Sequence, residues 1–227
     1  MDELFSIKTK EGVMKLSFHE AKRPFFSKGA EVTVEIRRLD KKEWGSGVVV
    51  TADGLILTAY HVIGRARVLR IRRLRLSKKG WRLYPYGKYV ADVIYRDKKA
   101  DVAVLKLRKP PQGLMAATFG DSAAIKVGSP LFRIGRDADG QHLAEGIVYK
   151  LGHENRIPEI SASMHADFGA SGGPVFNTDG EVVGLLLRGA LDPKHPHFAC
   201  IIPINIVHNR LYWRKEIKEH LPTGLAT

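Results

Sequence analysis

The 227-residue chain holds a single cysteine, Cys200, so no intrachain disulfide can form and a disulfide-stapled secreted scaffold is excluded. No stretch approaches the ~18 uninterrupted apolar residues of a membrane-spanning helix. The opening residues, Met1-Asp2-Glu3 with Glu11 soon after, carry no apolar run, so no secretory leader is legible. Together these absences predict a cytoplasmic, reducing location. There is no internal repeat of roughly 20–50 residues and no low-complexity tract. Acidic residues are scarce: 24 Asp and Glu face 37 Lys and Arg, a formal charge of +13. That charge bears on partners and says nothing of fold. With 44% hydrophobic and 27% charged residues, wholesale disorder is ruled out, and the length suits one large all-β unit or two small lobes.

The texture that is present is β. Residues 1–29 are mixed in character, with Phe5, Phe25 and Phe26 among Lys and Glu, and read as an N-terminal extension. Glu31–Ile36 alternates with period two, as a half-buried strand does. Gly45–Thr51, Ala52-Asp53-Gly54 and Leu55–Thr58 read as strand, Asp-Gly hairpin turn and strand. Val90–Tyr95 and Val102–Leu107 form another pair across Arg96–Lys99. Lys109-Pro-Pro-Gln-Gly113 is the linker, because consecutive prolines cannot donate to a ladder. Strand patterns resume at Pro130–Ile134, Gly146–Leu151, Val175-Phe176, Val182–Leu187 and Phe198–Ile202, with a turn at Asn177–Gly180. Only the end reads as helical: Asn205 is the expected N-cap, and Ile206, Leu211, Ile217 and Leu221 fall at helical spacing before Pro222. The expectation is an all-β protein with one C-terminal helix.

Three residues carry chemistry. His61 ends Leu57-Thr-Ala-Tyr-His61, Asp101 opens Asp101-Val-Ala-Val-Leu-Lys-Leu107, and Ser171 sits in Gly169-Ala-Ser-Gly-Gly-Pro174. A serine hydroxyl needs an adjacent base, and a neutral imidazole serves if a carboxylate fixes its tautomer. Glycines beside the serine let two backbone N–H groups, those of Gly169 and Ser171, point at a developing oxyanion. Gly-Ala-Ser-Gly-Gly also fits the nucleophile elbow of α/β-hydrolases. That fold runs Ser, Asp, His and places a helix after the elbow; here the order is His, Asp, Ser, and strand and turn signals follow.

With these blocks in view, the chain resembles the trypsin-like serine peptidases, and within them the HtrA-like branch. The resemblance runs from about Glu31 to Val207. It rests on Thr58-Ala-Tyr-His-Val62, Val90–Asp97 leading into Asp101, Gly120-Asp-Ser122, Val127–Gly135, Gly146-Ile-Val148, the Ser-Gly-Gly-Pro block, Gly180–Gly184 and Phe198–Ile204. It implies two six-stranded antiparallel β-barrels with the triad between them. The peptidase domain would then be 30–227: a first barrel at 30–108, a linker at 109–125, and a second barrel with the C-terminal helix at 126–227. It also implies a serine endopeptidase acting on protein or peptide substrates without metal or organic cofactor, and a substrate pocket at His165, Leu186, Leu187 and Arg188. N-terminal aromatics bring copies together in this branch, so a homo-oligomer through the extension is a further implication. The chain departs from the branch in three places. Only residues 206–227 follow Asn205, too few for a PDZ domain. Ala170 stands where Asn or Asp is common. The stretch Ser161–Phe168, with Asp167 close to the nucleophile, is shortened. These departures motivate the alternative of a latent or catalytically silent binding module.

Other signals keep two readings. Residues Arg65–Arg82 hold nine Lys and Arg and no acid: Arg65, Arg67, Arg70, Arg72, Arg73, Arg75, Lys78, Lys79 and Arg82. They are either a solvated loop and strand face or an electropositive patch for nucleic acid, acidic protein or anionic lipid. Trp81, Tyr84 and Tyr86 either stack on bases or cover a barrel. His195-Pro-His197 reads as a surface loop, since it lacks further ligands at metal spacing. Cys200 reads as a core thiol, and Asp97 as a turn carboxylate.

Overall fold

The structure is a computed structural model describing residues 4–9, 12–41, 43–78, 82–135, 143–154, 157–189 and 198–212. The readings placed on Lys79, Trp81, His195, His197, Ile217, Leu221 and the Phe5 side chain lie outside the described residues.

Two closed six-stranded antiparallel barrels make up most of the molecule. The first contains β3 (Thr33–Arg38), β4 (Trp44–Val49), β5 (Leu55–Ala59), β6 (Val68–Leu76), β7 (Leu83–Asp97) and β8 (Val102–Leu107). The second contains β9 (Pro130–Ile134), β10 (Leu143–Glu154), β11 (Ile157–Ala162), β12 (Pro174–Phe176), β13 (Val182–Gly189) and β14 (Ala199–Pro203). Around the first barrel the order is β3-β4-β5-β8-β7-β6, and around the second β9-β10-β11-β14-β13-β12. Both therefore wind their strands in the same sequence. Alternation sets the inward face: Val34, Ile36, Leu69 and Ile71 are buried in the first barrel, and Val148, Ile160, Val183 and Ile201 in the second. Closure leaves neither sheet with long open edges.

Four sequence expectations change. The N-terminal extension folds as a hairpin, β1 (Leu4–Thr9) with β2 (Gly12–Ser17), followed by α1 (Phe18–Val32). Glu31 and Val32 thus end a helix, and the strand begins at Thr33. Pro24, a helix breaker within the pattern, hid α1 from propensity reasoning; tertiary packing stabilises it. The Phe25 ring packs edge-on against Phe132 at 5.1 Å and Phe26 at 5.2 Å, and Phe26 meets Phe132 at 6.0 Å. Both aromatics are thus packed inside the chain. The basic run Arg65–Arg82 is mostly regular strand, β6. Its Arg72 supports the barrel: with Arg37 it flanks the fully buried Glu35 carboxylate, at 3.8 and 2.5 Å. Asn205 is not an N-cap. It lies inside α3 (Ile204–Tyr212), accepts from the Ser122 N–H at 3.1 Å and donates to Asp121 at 2.7 Å. It ties the helix to a 3₁₀ turn at Ser122–Ala124 in the connection between barrels.

Candidate active site

His61 sits on α2 (Tyr60–Ile63), a single turn at the end of β5. Asp101 is the turn residue immediately before β8, the strand paired with β5, so a barrel ladder brings the two together. The Asp101 carboxylate accepts twice from the same residue: Oδ1 from the His61 backbone N–H at 2.9 Å and Oδ2 from its Nδ1 at 2.7 Å. The Asp101 carbonyl also accepts the Tyr60 N–H at 3.0 Å. Asp101 has φ +56°, the only positive φ at a non-glycine residue among the described residues. Such a conformation costs about 1–3 kcal/mol and persists because the three hydrogen bonds over-determine it. The carboxylate fixes Nδ1 as the protonated nitrogen, leaving Nε2 as the acceptor. Asp97 has no part in this: it accepts the N–H groups of Lys99 and Ala100 and closes their turn.

Ser171 comes from the second barrel, in the loop before β12, and lines one cavity of about 430 Å³ with His61. The same cavity is lined by Trp44, Ala166, Asp167, Phe168, Gly169 and Arg188. Asp167 C=O accepts the Ala170 N–H at 3.1 Å, closing a turn whose third residue, Gly169, has φ +95°. A negative φ at Phe168 and a positive one at Gly169 make this a type II turn, whose central peptide is flipped relative to type I. Among the described residues neither the Gly169 nor the Ser171 N–H has an acceptor, and both residues line the cavity.

Ser46 on β4 holds that arrangement from the opposite barrel. Its N–H donates to the Ser171 carbonyl at 2.8 Å, and its hydroxyl to the Gly169 carbonyl at 2.7 Å. Its own carbonyl accepts from Thr58 at 2.7 Å. Fully buried, Ser46 pins the carbonyl ends of the two residues whose N–H groups are unengaged. Gly172, next to the serine, has φ +80°, and a Cβ there would lie 2.2 Å from the Thr58 hydroxyl. Sequence reasoning missed Ser46 and the cavity-lining Glu43 and Trp44: Gly45-Ser-Gly47 reads simply as strand, and nothing local marks its hydroxyl as crossing between barrels.

Of the expected pocket residues, Arg188 lines the cavity. Leu186 is buried and exchanges backbone hydrogen bonds with Gly172 and Gly173 at 2.7 and 2.9 Å. Leu187 is buried and lines a neighbouring cavity. His165 lies outside the cavity, its ring 3.5 Å from the Asp167 carboxylate and its carbonyl accepting Nε of the buried Arg133 at 2.5 Å. Cys200 is half-buried, and burial, then the Glu159 charge, pushes its thiol above its ordinary range. Among the described residues, no group of His, Cys, Asp and Glu is placed to hold a metal ion.

Residues 45–185 match the family model described as the trypsin-like peptidase domain. The chain belongs to the trypsin-like peptidase family. Among its curated relatives are proteins named "Probable periplasmic serine endoprotease DegP-like" from Marinomonas sp. (strain MWYL1) and Pseudomonas fluorescens (strain Pf-5). Each is 34% identical, over 146 and 154 residues, or 62% and 66% of this chain. The chain spans 29% and 30% of the length of these relatives. The crystal structure of Deg5 matches with a TM-score of 0.68 and 27% identity, covering 86% of this chain and 94% of that one. An HtrA-type protease, AlgW, shares the fold with a TM-score of 0.70 at 22% identity, covering 86% of this chain and 63% of that one. This trypsin-like peptidase is thus similar, over part of their length, to proteins named DegP-like, and it shares its fold with an HtrA-type protease.

One expectation is corrected by these matches. The relatives are named periplasmic, which overturns the cytoplasmic location read from the sequence. The sequence argument failed for a physical reason: one cysteine forms no intrachain disulfide in any compartment, so its count does not select a reducing one.

Proposed function

We propose that this trypsin-like peptidase is a serine endopeptidase that works through an acyl-enzyme. Ser171 Oγ attacks the scissile carbonyl carbon while its proton passes to His61 Nε2. The C–N bond then breaks, and His61 returns that proton to the leaving amine. Water repeats the sequence: its proton goes to His61, its oxygen to the acyl carbon, and Ser171 is regenerated as the acid product leaves. Asp101 orients the imidazole and stabilises its charged form, and the N–H groups of Gly169 and Ser171 receive the oxyanion. Ser46 acts through them as a positioning residue. The observation that carries this reading is the shared cavity: an imidazole oriented by a carboxylate, a serine, and two unengaged N–H groups together.

The silent-module alternative rests on Ala170 and the shortened stretch before it leaving the oxyanion turn misformed. The type II geometry at Asp167–Ala170 speaks against that deformation, since the buried Ala170 fits without a side-chain partner. A fluorophosphonate probe separates the two readings. Labelling lost in Ser171→Ala and strongly reduced in His61→Ala is expected; equal labelling of all three proteins would overturn the mechanism.

A second reading concerns Arg65–Arg82. Arg73 and Arg75 both stand over the Tyr86 ring, at 5.2 and 5.5 Å, and Tyr84 is half exposed. With no acid in the run, this favours an anionic partner there, nucleic acid or acidic protein. A steep fall in affinity for an oligonucleotide with rising salt is expected if phosphates are contacted. A flat response would remove nucleic acid from this reading.

A further inference from the structure

A second cavity, of about 210 Å³, adjoins the catalytic one and shares Arg188 with it. It reaches the carboxylate end of the His61–Asp101 pair and is lined by Lys98, Lys99, Asp101, Pro158, Glu159 and Arg188, among others. Its charges do not cancel. Asp101 is engaged by His61 at 2.7 Å, and Glu159 by the Arg188 guanidinium at 3.2 Å. Lys98 and Lys99 sit exposed in the turn between β7 and β8, and neither ammonium has a carboxylate partner among the described residues. Glu159 is paired with Arg188, while Asp101 keeps its charge against a neutral imidazole, so three cations and two anions leave the lining with one positive charge in excess.

The fold also supplies a route into it. β12 pairs with β13 only as far as Leu185, and Gly172 and Gly173 take the backbone groups of Leu186. On that side residues 187–189 have no strand partner among the described residues, although β14 holds their other edge. A peptide can extend the sheet there, with its side chains alternating from one side to the other. A peptide laid along that edge with its reacting carbonyl at Ser171 would pass Arg188, the residue that both cavities share.

We propose that this smaller cavity is a subsite for a carboxylate side chain, so that the enzyme prefers polypeptides with Asp or Glu a few residues before the cleaved bond. The inference rests on the peptidase reading and names its substrate class. An acid there meets two exposed ammonium groups that have no carboxylate partner among the described residues, against the opposing charge of Asp101, whereas Gln of equal size brings no charge to either. Each such exposed pairing is worth little alone; the two together set a preference of about tenfold. The preference weakens as salt screens the pair.

The test uses quenched fluorescent peptides identical except for Glu or Gln at the second, third or fourth residue before the cleaved bond. A matched series places the same pair after it. The expected result is a Glu-over-Gln ratio in kcat/KM of about ten at one preceding position and near one at every following position. Lys98→Glu/Lys99→Glu should bring the ratio to one or below. Lys126→Glu/Lys150→Glu makes the same change in net charge on exposed residues of the second half of the chain and should retain the ratio. Equal rates for Glu and Gln at all preceding positions overturn the proposal, as does a ratio that survives in the Lys98/Lys99 variant. If no peptide is hydrolysed and no fluorophosphonate labelling occurs, the peptidase reading falls separately. The subsite is then judged by the Glu-over-Gln ratio of binding affinities, measured by anisotropy with the same proteins and the same criteria.

Discussion

Removing the hydroxyl of Ser46 tests whether the oxyanion turn is held from the opposite barrel. Ser46→Ala deletes the 2.7 Å bond to the Gly169 carbonyl but keeps the backbone bond to the Ser171 carbonyl at 2.8 Å. Ser46 is fully buried, so the Gly169 carbonyl loses a partner that water cannot readily replace, at a cost of about 1–3 kcal/mol in stability. The catalytic effect follows from the same bond. A net hydrogen bond of ~1–1.5 kcal/mol biases the turn toward the state with Gly169 N–H facing the cavity. Losing it lowers the ratio of that state to its alternative roughly tenfold, since ~1.4 kcal/mol is a factor of ten, and kcat/KM by up to that factor. The ceiling is the roughly 10²–10³-fold loss that follows when one oxyanion donor is removed outright. The assay pairs kcat/KM with the affinity of a peptide aldehyde, whose tetrahedral adduct places an oxyanion against the same N–H groups. Both should fall by the same factor at a temperature where circular dichroism finds the variant folded. A variant with normal kcat/KM and aldehyde affinity would refute the argument, as would a loss of activity with aldehyde affinity unchanged.

Asp101→Asn keeps the shape but offers an amide where His61 needs a carboxylate, favouring the wrong tautomer; kcat/KM should fall roughly 10⁴-fold, the scale known for Ser-His-Asp triads, and a loss below tenfold would remove Asp101 from that role. Gly172→Ala combines φ +80° with a Cβ 2.2 Å from the Thr58 hydroxyl, so it should abolish fluorophosphonate labelling and lower Tm; unchanged labelling would contradict the packing described. His208 on α3 is buried, and desolvation holds its imidazole below the ordinary pKa of 6.5, partly opposed by a hydrogen bond with Asn209. The unfolded chain therefore binds the proton more readily, so this contribution is fully present above about pH 6.5 and is lost as pH falls below it. Thermal melts between pH 5 and 8 should show a smaller acid-side loss of Tm in His208→Gln than in the parent. Cys200, its thiol pushed up by burial, should react more slowly with a disulfide reagent at pH 7.5 than it does in denaturant; equal rates would place it in a more open environment.

Strands with local patterning can be read directly from the chain. Val102–Leu107 and Pro130–Ile134 coincide with β8 and β9 because alternation and flanking turn residues act over a few residues. The all-β barrel pair and the trypsin-like family were legible for the same reason, since each block of the resemblance is short and their order is specific. Helix α1 was not: Pro24 argues against it locally, and its stability comes from packing Phe25 and Phe26 on Phe132, more than a hundred residues away in the chain. The basic run left the extent of β6 unread, because arginines hide the period of Leu69, Ile71 and Leu74 until a bulge at the pairing with β7 is known. In the candidate site, residue types and order pointed to His61, Asp101 and Ser171. Which hydroxyl meets which carbonyl depends on how the barrels pack. Ser46 and Gly169 are 123 positions apart, and the bond between them exists because two separately closed barrels press β4 against the nucleophile loop. Hydrogen bonding between distant backbones leaves no period in a sequence.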